Sequence, residues 1–115
     1  MKAKDYMMQA RYLDRRIKSK TDQMQQMRDL AVKVTQVISD MPKAPSGSTA
    51  RMADTVSKII DYETEISIDL EKLVLLKKDI LAMTKMLTKP EYQMILEKRY
   101  VDMQHWDDIA DDLDL

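Results

Sequence analysis

Tyr6-Met-Met-Gln-Ala-Arg-Tyr-Leu-Asp-Arg-Arg-Ile-Lys-Ser-Lys20 decides the fold. Within it Tyr6, Ala10, Leu13, Ile17 and Lys20 recur at alternating steps of four and three. That spacing averages about 3.5 residues, the repeat that keeps one stripe facing the partner in a left-handed coiled pair. Followed outward, the seam reads Ala3, Tyr6, Ala10, Leu13, Ile17, Lys20, Met24, Met27, Ala31, Val34, Ile38 and Met41, and Lys20 alone breaks the apolar set. No Gly or Pro interrupts it, so one long helix is expected up to Pro42, whose ring cannot continue it.

The same rhythm returns after the stretch Pro42-Lys-Ala-Pro-Ser-Gly-Ser-Thr49, the one clear loop signal in the chain. Ser48 or Thr49 is suited to cap the following helix, with Asp54 near its positive end. The second seam reads Met52, Val56, Ile59, Glu63, Ile66, Leu70, Leu73, Lys77, Ile80, Thr84 and Leu87. Each helix would span about 55 Å at about 1.5 Å per residue. With only a short connection, two such helices fold back antiparallel. The expected fold is therefore all-α: a long antiparallel, coiled-coil-like helical hairpin over residues 1–87 with its loop at 42–50, then a small unit over 88–115.

The middle of the second helix is wider in apolar surface than one seam needs. Val74, Leu75, Leu76 and Leu81 are the candidate self-association residues, because a wide stripe can touch more than one partner. A two-helix hairpin also buries little surface on its own, which makes a homo-oligomer, most simply a dimer, the expected state.

Composition agrees with helices and excludes several function classes. The 115 residues hold one Gly, three Pro, no Phe, no Cys and eleven Met, too few turn-formers for repeated strand connections. The lack of Cys removes disulfides, thiolate catalysis and zinc–thiolate sites together. No apolar run approaches the roughly 20 residues that cross a bilayer, and the N-terminus is not a signal peptide, so a cytoplasmic protein without membrane contact is expected. Net charge is only −1, but its distribution is uneven. Residues 1–41 hold nine Lys or Arg against five acids, whereas residues 88–115 hold three against eight. An acidic end of that kind does not by itself hold a phosphate backbone. Arg11, Arg15, Arg16 and Lys18 are the candidate phosphate contacts.

Thr88-Lys89-Pro90-Glu91 has the form of a helix start, with Thr88 as cap, Pro90 in the first turn and Glu91 placed as in a capping box. A short helix to Val101 follows, then a turn at Asp102-Met-Gln-His105, then a second short helix from Trp106. Two short helices joined tightly look like the front half of a helix-turn-helix.

Pro90-Glu-Tyr-Gln-Met-Ile-Leu-Glu-Lys-Arg-Tyr-Val101 and Trp106-Asp-Asp-Ile-Ala-Asp-Asp-Leu113 resemble region four of bacterial sigma factors. They look closest to the ArpU/RinA-like transcription regulators that phages and prophages of Gram-positive bacteria encode. Met52-Ala-Asp-Thr-Val-Ser-Lys-Ile59 and Leu73-Val-Leu-Leu-Lys-Lys-Asp-Ile80 are similar to the long helical part of that family, so the resemblance spans nearly the whole chain. It implies that Tyr92, Leu96, Arg99 and Tyr100 belong to a scaffold helix. Trp106, Ile109, Ala110 and Leu113 would pack a supporting helix against it, with Trp106 in the core. It also implies DNA and RNA polymerase as partners. A basic recognition helix should follow; the 115 residues end before it, which is expected of a fragment or a shortened product. In the turn, where the family usually has Gly and a capping Thr or Ser, this chain has Met103 and His105.

No catalytic, cofactor or metal site is expected, and no small-molecule substrate. His105 is the only His, better suited to a cap or the surface than to a metal. Asp107, Asp108, Asp111 and Asp112 lie on an open short helix with no obvious pocket around them, a solvated face and not an acid–base pair. There is no Gly-rich phosphate loop and no nucleophile elbow. The expected function is a phage-type transcription regulator whose helix-turn-helix is incomplete here and whose hairpin self-associates or contacts polymerase. The alternative is a helical structural or adaptor protein that binds another protein without nucleic acid.

Overall fold

The structure is a computed structural model that describes residues 2–39 and 46–114. Four helices follow in order: α1 (Ala3–Ser39), α2 (Ser46–Thr84), α3 (Pro90–Tyr100) and α4 (Trp106–Asp112). Among the described residues there is no strand, and none of their helices is long and apolar enough to cross a membrane. The chain divides into two compact units, Arg16–Asp69 and Met1–Arg15 with Leu70–Leu115. Both long helices are unbroken, as the absence of internal Pro leads one to expect.

In the unit Arg16–Asp69, α1 and α2 lie antiparallel along the expected seam of α1. Ile17, Lys20, Met24, Met27, Ala31 and Val34 are half-buried, while the residues between them are exposed. Lys20 donates to Asp69 at 2.8 Å and lies 3.5 Å from Glu65, and further along α1 Arg28 meets Glu63 at 2.6 Å. Rising numbers on one helix face falling numbers on the other.

The seam of α2 is shifted from the expected one at every second position. Met52, Ile59 and Ile66 face inward as expected, but between them stand Thr55, Tyr62 and Asp69 and not Val56, Glu63 and Leu70, which are exposed. The cause is Lys20. An ammonium inside a seam needs a carboxylate opposite, and Asp69, only 4% exposed, supplies it. Leu70 gives way, and the steps of the stripe run three-four where the sequence leads one to expect four-three.

In the other unit, Met7 and Ala10 of α1, Leu73, Ile80 and Thr84 of α2, Tyr100 of α3 and Ile109 of α4 form the core. Ile80, Thr84 and Ile109 are its largest fully enclosed side chains. Enclosing an Ile of this kind contributes about 1.5–3 kcal/mol. Thr84 satisfies its hydroxyl on the Leu81 carbonyl at 2.9 Å. The short C-terminal helices thus share one apolar centre with the ends of α1 and α2 found in this unit.

Two expected boundaries are corrected. Ser46–Ala50, placed in the loop at 42–50, already belong to α2, so Ser48 and Thr49 lie inside the helix and not at its cap. Pro42 and Met41 of that reading lie outside the described residues, as does the side chain of Ile38. At the start of α3 the N-cap is Lys89 and not Thr88, with extended backbone (φ −94°, ψ 119°), Pro90 in the first turn and no side-chain cap bond. Proline forces its predecessor into extended geometry, which makes Lys89 the cap. The Lys89 ammonium instead lies 5.2 Å from the Tyr92 ring centre.

Candidate functional site

The candidate site is the connection between α3 and α4. α3 ends at Tyr100 and α4 begins at Trp106. The amides of Val101 and Asp102 both donate to the Glu97 carbonyl at 2.9 Å, and the Gln104 amide reaches back to the Lys98 carbonyl at 2.9 Å. Closing the chain this way requires one left-handed residue, and Met103 supplies it with φ 60°. His105 then stands in extended backbone (φ −74°, ψ 154°) as the N-cap of α4, exposed and without a side-chain cap bond. Met103 thus holds the left-handed position and His105 the cap position.

Arg11 of α1 closes the turn from the side. Its Nη1 donates to the Arg99 carbonyl at 2.9 Å and to the Gln104 carbonyl at 3.4 Å. Arg99 donates to the same Gln104 carbonyl at 3.2 Å. The guanidinium of Arg11 therefore satisfies the Arg99 carbonyl at the end of α3, as a cation does favourably at a helix C-terminus, and also reaches the Gln104 carbonyl in the turn. Arg11 is 5% exposed. Burial above all, then the nearby charges of Arg99 and Arg15, hold its pKa below the usual arginine value, while Tyr100 and Asp14 act in the opposite direction. Arginine remains charged at any working pH even so. Arg11 Nε, Arg99 Nε and Gln104 Oε1 are enclosed here without a partner, a local cost in a unit otherwise well satisfied.

Among the expected scaffold residues, Tyr100 and Ile109 are buried, and Leu96, Arg99, Ala110 and Leu113 are half-buried. Tyr92 and Trp106 are not packed inside: they are 53% and 52% exposed. Trp106 is the first residue of α4, and the inward face of that helix is taken by Ile109 one turn later. The indole instead lies against the Arg99 guanidinium, 4.5 Å from ring centre to Cζ. A second tie, Lys98 to Asp112 at 3.4 Å, joins α3 to α4 at the surface and contributes little.

The candidate phosphate contacts separate. Arg11 is committed to the turn and is removed from that set. Arg16 lies 3.6 Å from Asp69 with its side chain 64% exposed, and Arg15 and Lys18 are exposed. Of the self-association residues, Val74 and Leu75 are exposed, whereas Leu76 and Leu81 are half-buried within the chain. Leu76 occupies the inner seam three residues after Leu73. The exposed pair is joined by Leu70, which lines a shallow groove of about 440 Å³ with Glu71, Val74 and Leu75. Among the described residues no group of His, Asp and Glu is placed to hold a metal ion.

Sequence reading missed Arg11 as a clamp and Gln104 as its acceptor. Arg11 follows Ala10 in the seam, but nothing in helical spacing says that its end reaches a carbonyl 88 residues away. No family model matches this chain, and neither a curated protein nor a solved structure matches it.

Proposed function

We propose that this chain is a cytoplasmic transcription regulator of the sigma-like type carried by phages and prophages, with α3 and α4 as the scaffold half of a helix-turn-helix. The single observation that carries the reading is the α3–α4 turn. It combines a left-handed Met103, an extended N-cap at His105 and a buried Ile109, at the positions where the region-four pattern needs a turn, a cap and a packed supporting helix. The resemblance of residues 90–113 to that pattern supports it further. In such a unit α4 supports a following recognition helix, which reads the major groove. α1 and α2 serve self-association or contact with RNA polymerase.

The test is selection from a random duplex DNA library with the product of the whole reading frame, followed by gel shifts of the enriched pool. A recurring sequence that outcompetes bulk DNA is the expected result. Recovery of no preferred sequence overturns the reading.

A second reading, an adaptor that binds protein without nucleic acid, is favoured by one observation. Leu70, Val74 and Leu75 stand 46%, 52% and 61% exposed on α2, an apolar face of the kind that marks a protein contact. Failure of the selection with that face still required for association leaves the adaptor.

A further inference from the structure

In the unit that holds the α3–α4 turn, α2 turns Leu73 into the core at 6% exposure and presents Val74 and Leu75 outward. Glu71 lies three residues before Val74, and Lys78 three residues after Leu75; both are exposed. About the midpoint of Val74 and Leu75 these two apolar side chains exchange places and acidic Glu71 exchanges with basic Lys78, whereas Leu70 exchanges with Asp79. In an isologous contact residue i meets residue j and j meets i, so the first two exchanges set apolar against apolar and acid against base.

We propose that this face pairs with the same face of a second copy of the chain, antiparallel, across a two-fold axis between Val74 and Leu75. Val74 of one copy then lies against Leu75 of the other, and Glu71 lies opposite Lys78 on both sides of the axis. The shallow groove between Leu70, Glu71, Val74 and Leu75 takes the partner's Leu75. A parallel pair would set Glu71 against Glu71 and Lys78 against Lys78, which is repulsive at both ends. A foreign partner has no need of a surface complementary to itself. Among the described residues six apolar side chains are buried and thirteen large ones exposed, so covering such a face also supplies apolar burial that one copy lacks. The inference rests on the association role given to α2 above and is independent of DNA.

The chain has no Cys, so single-cysteine variants report position directly. Glu71→Cys and Lys78→Cys proteins are mixed and joined with a short bis-maleimide linker, with circular dichroism as the check that both remain helical. The expected product is the mixed 71–78 dimer. A dominant 71–71 or 78–78 product overturns the antiparallel arrangement, and a helical chain that sediments as a monomer overturns the pairing altogether. Charge reversal gives a second readout. Glu71→Lys or Lys78→Glu alone weakens the dimer several-fold, and the two together restore it; a double variant weaker than either single one contradicts the contact. Leu75→Glu is expected to raise the dimer dissociation constant about 30-fold or more. Because none of these assays contains DNA, they separate the fate of this contact from that of the regulator reading.

Discussion

The guanidinium of Arg11 in α1 donates to the carbonyl oxygen of Arg99 at 2.9 Å, where α3 ends. One side chain from the first helix thereby closes a turn that belongs to the last two. The short C-terminal helices hold their geometry through the long ones, and stability at the turn is coupled to α1.

Replacement of Arg11 by Met removes the donors at the Arg99 and Gln104 carbonyls while it keeps most of the buried stem. Hydrogen bonds from a charged donor contribute roughly 1.5–3 kcal/mol, so Arg11→Met is expected to lower stability by about 2 kcal/mol in urea unfolding followed by circular dichroism. Arg11→Lys recovers only part of the loss, because its shorter side chain does not carry an ammonium to the place where Nη1 meets the two carbonyls.

The turn carries two residues that its backbone does not favour. Met103 at φ 60° holds a left-handed conformation that costs a residue with a Cβ about 1–2 kcal/mol, and glycine avoids most of this at some cost in chain entropy. His105 is an N-cap without a cap bond, where serine supplies one. Met103→Gly and His105→Ser are each expected to raise stability, by about 0.5–1 kcal/mol, with the urea midpoint moving up and the slope unchanged. A lower midpoint for Met103→Gly means that residue 103 is not left-handed in solution.

The hairpin was largely legible in the residues. Tyr6, Ala10, Ile17, Met24, Met27, Ala31 and Val34 all lie on the inner face of α1, because a repeat of three and four leaves only one face apolar. The phase of α2 was harder. Val56 and Leu70 are more apolar than Thr55 and Asp69, and only the pairing of Lys20 with Asp69 shows which row turns inward. At the C-terminus the helix boundaries follow from Pro90 and Trp106, but the exposure of Trp106 depends on where Arg99 and Ile109 come to rest, a tertiary outcome. The charge of Arg11 alone points to a phosphate contact; its burial comes from neighbours distant in the chain.

Lys20 and Asp69 form the polar link inside the apolar seam. Lys20→Met takes the ammonium away from the carboxylate of Asp69, which is 4% exposed and lies 3.6 Å from Arg16, and is expected to cost about 3 kcal/mol. Lys20→Met with Asp69→Leu replaces both charges by packing atoms and is expected to come within about 1 kcal/mol of the unaltered protein. A double variant less stable than Lys20→Met would show that the ion pair stabilises beyond its own desolvation.

Tyr6 donates its phenol proton to Asp79 at 2.7 Å, a bond that, with desolvation and the Asp79 charge, raises the phenol pKa above its usual value. A raised folded-state pKa gives a contribution that is complete below the unfolded-state value and is lost as pH rises through the folded one. The tie between Tyr6 and Asp79 is therefore intact at neutral pH and lost only in alkali. In tyrosinate absorbance titrations Tyr6 should ionise above the ordinary tyrosine value, and Asp79→Asn should abolish that delay.

The most direct measurement is the salt dependence of DNA affinity for the product of the whole reading frame, compared with its Arg11→Met variant. Affinity should fall steeply with salt in both, and the variant should bind more weakly at every concentration with the same slope, because Arg11 positions the turn and touches no phosphate. A slope smaller by about one would make Arg11 a phosphate contact, and DNA ignored even at low salt would contradict the regulator itself.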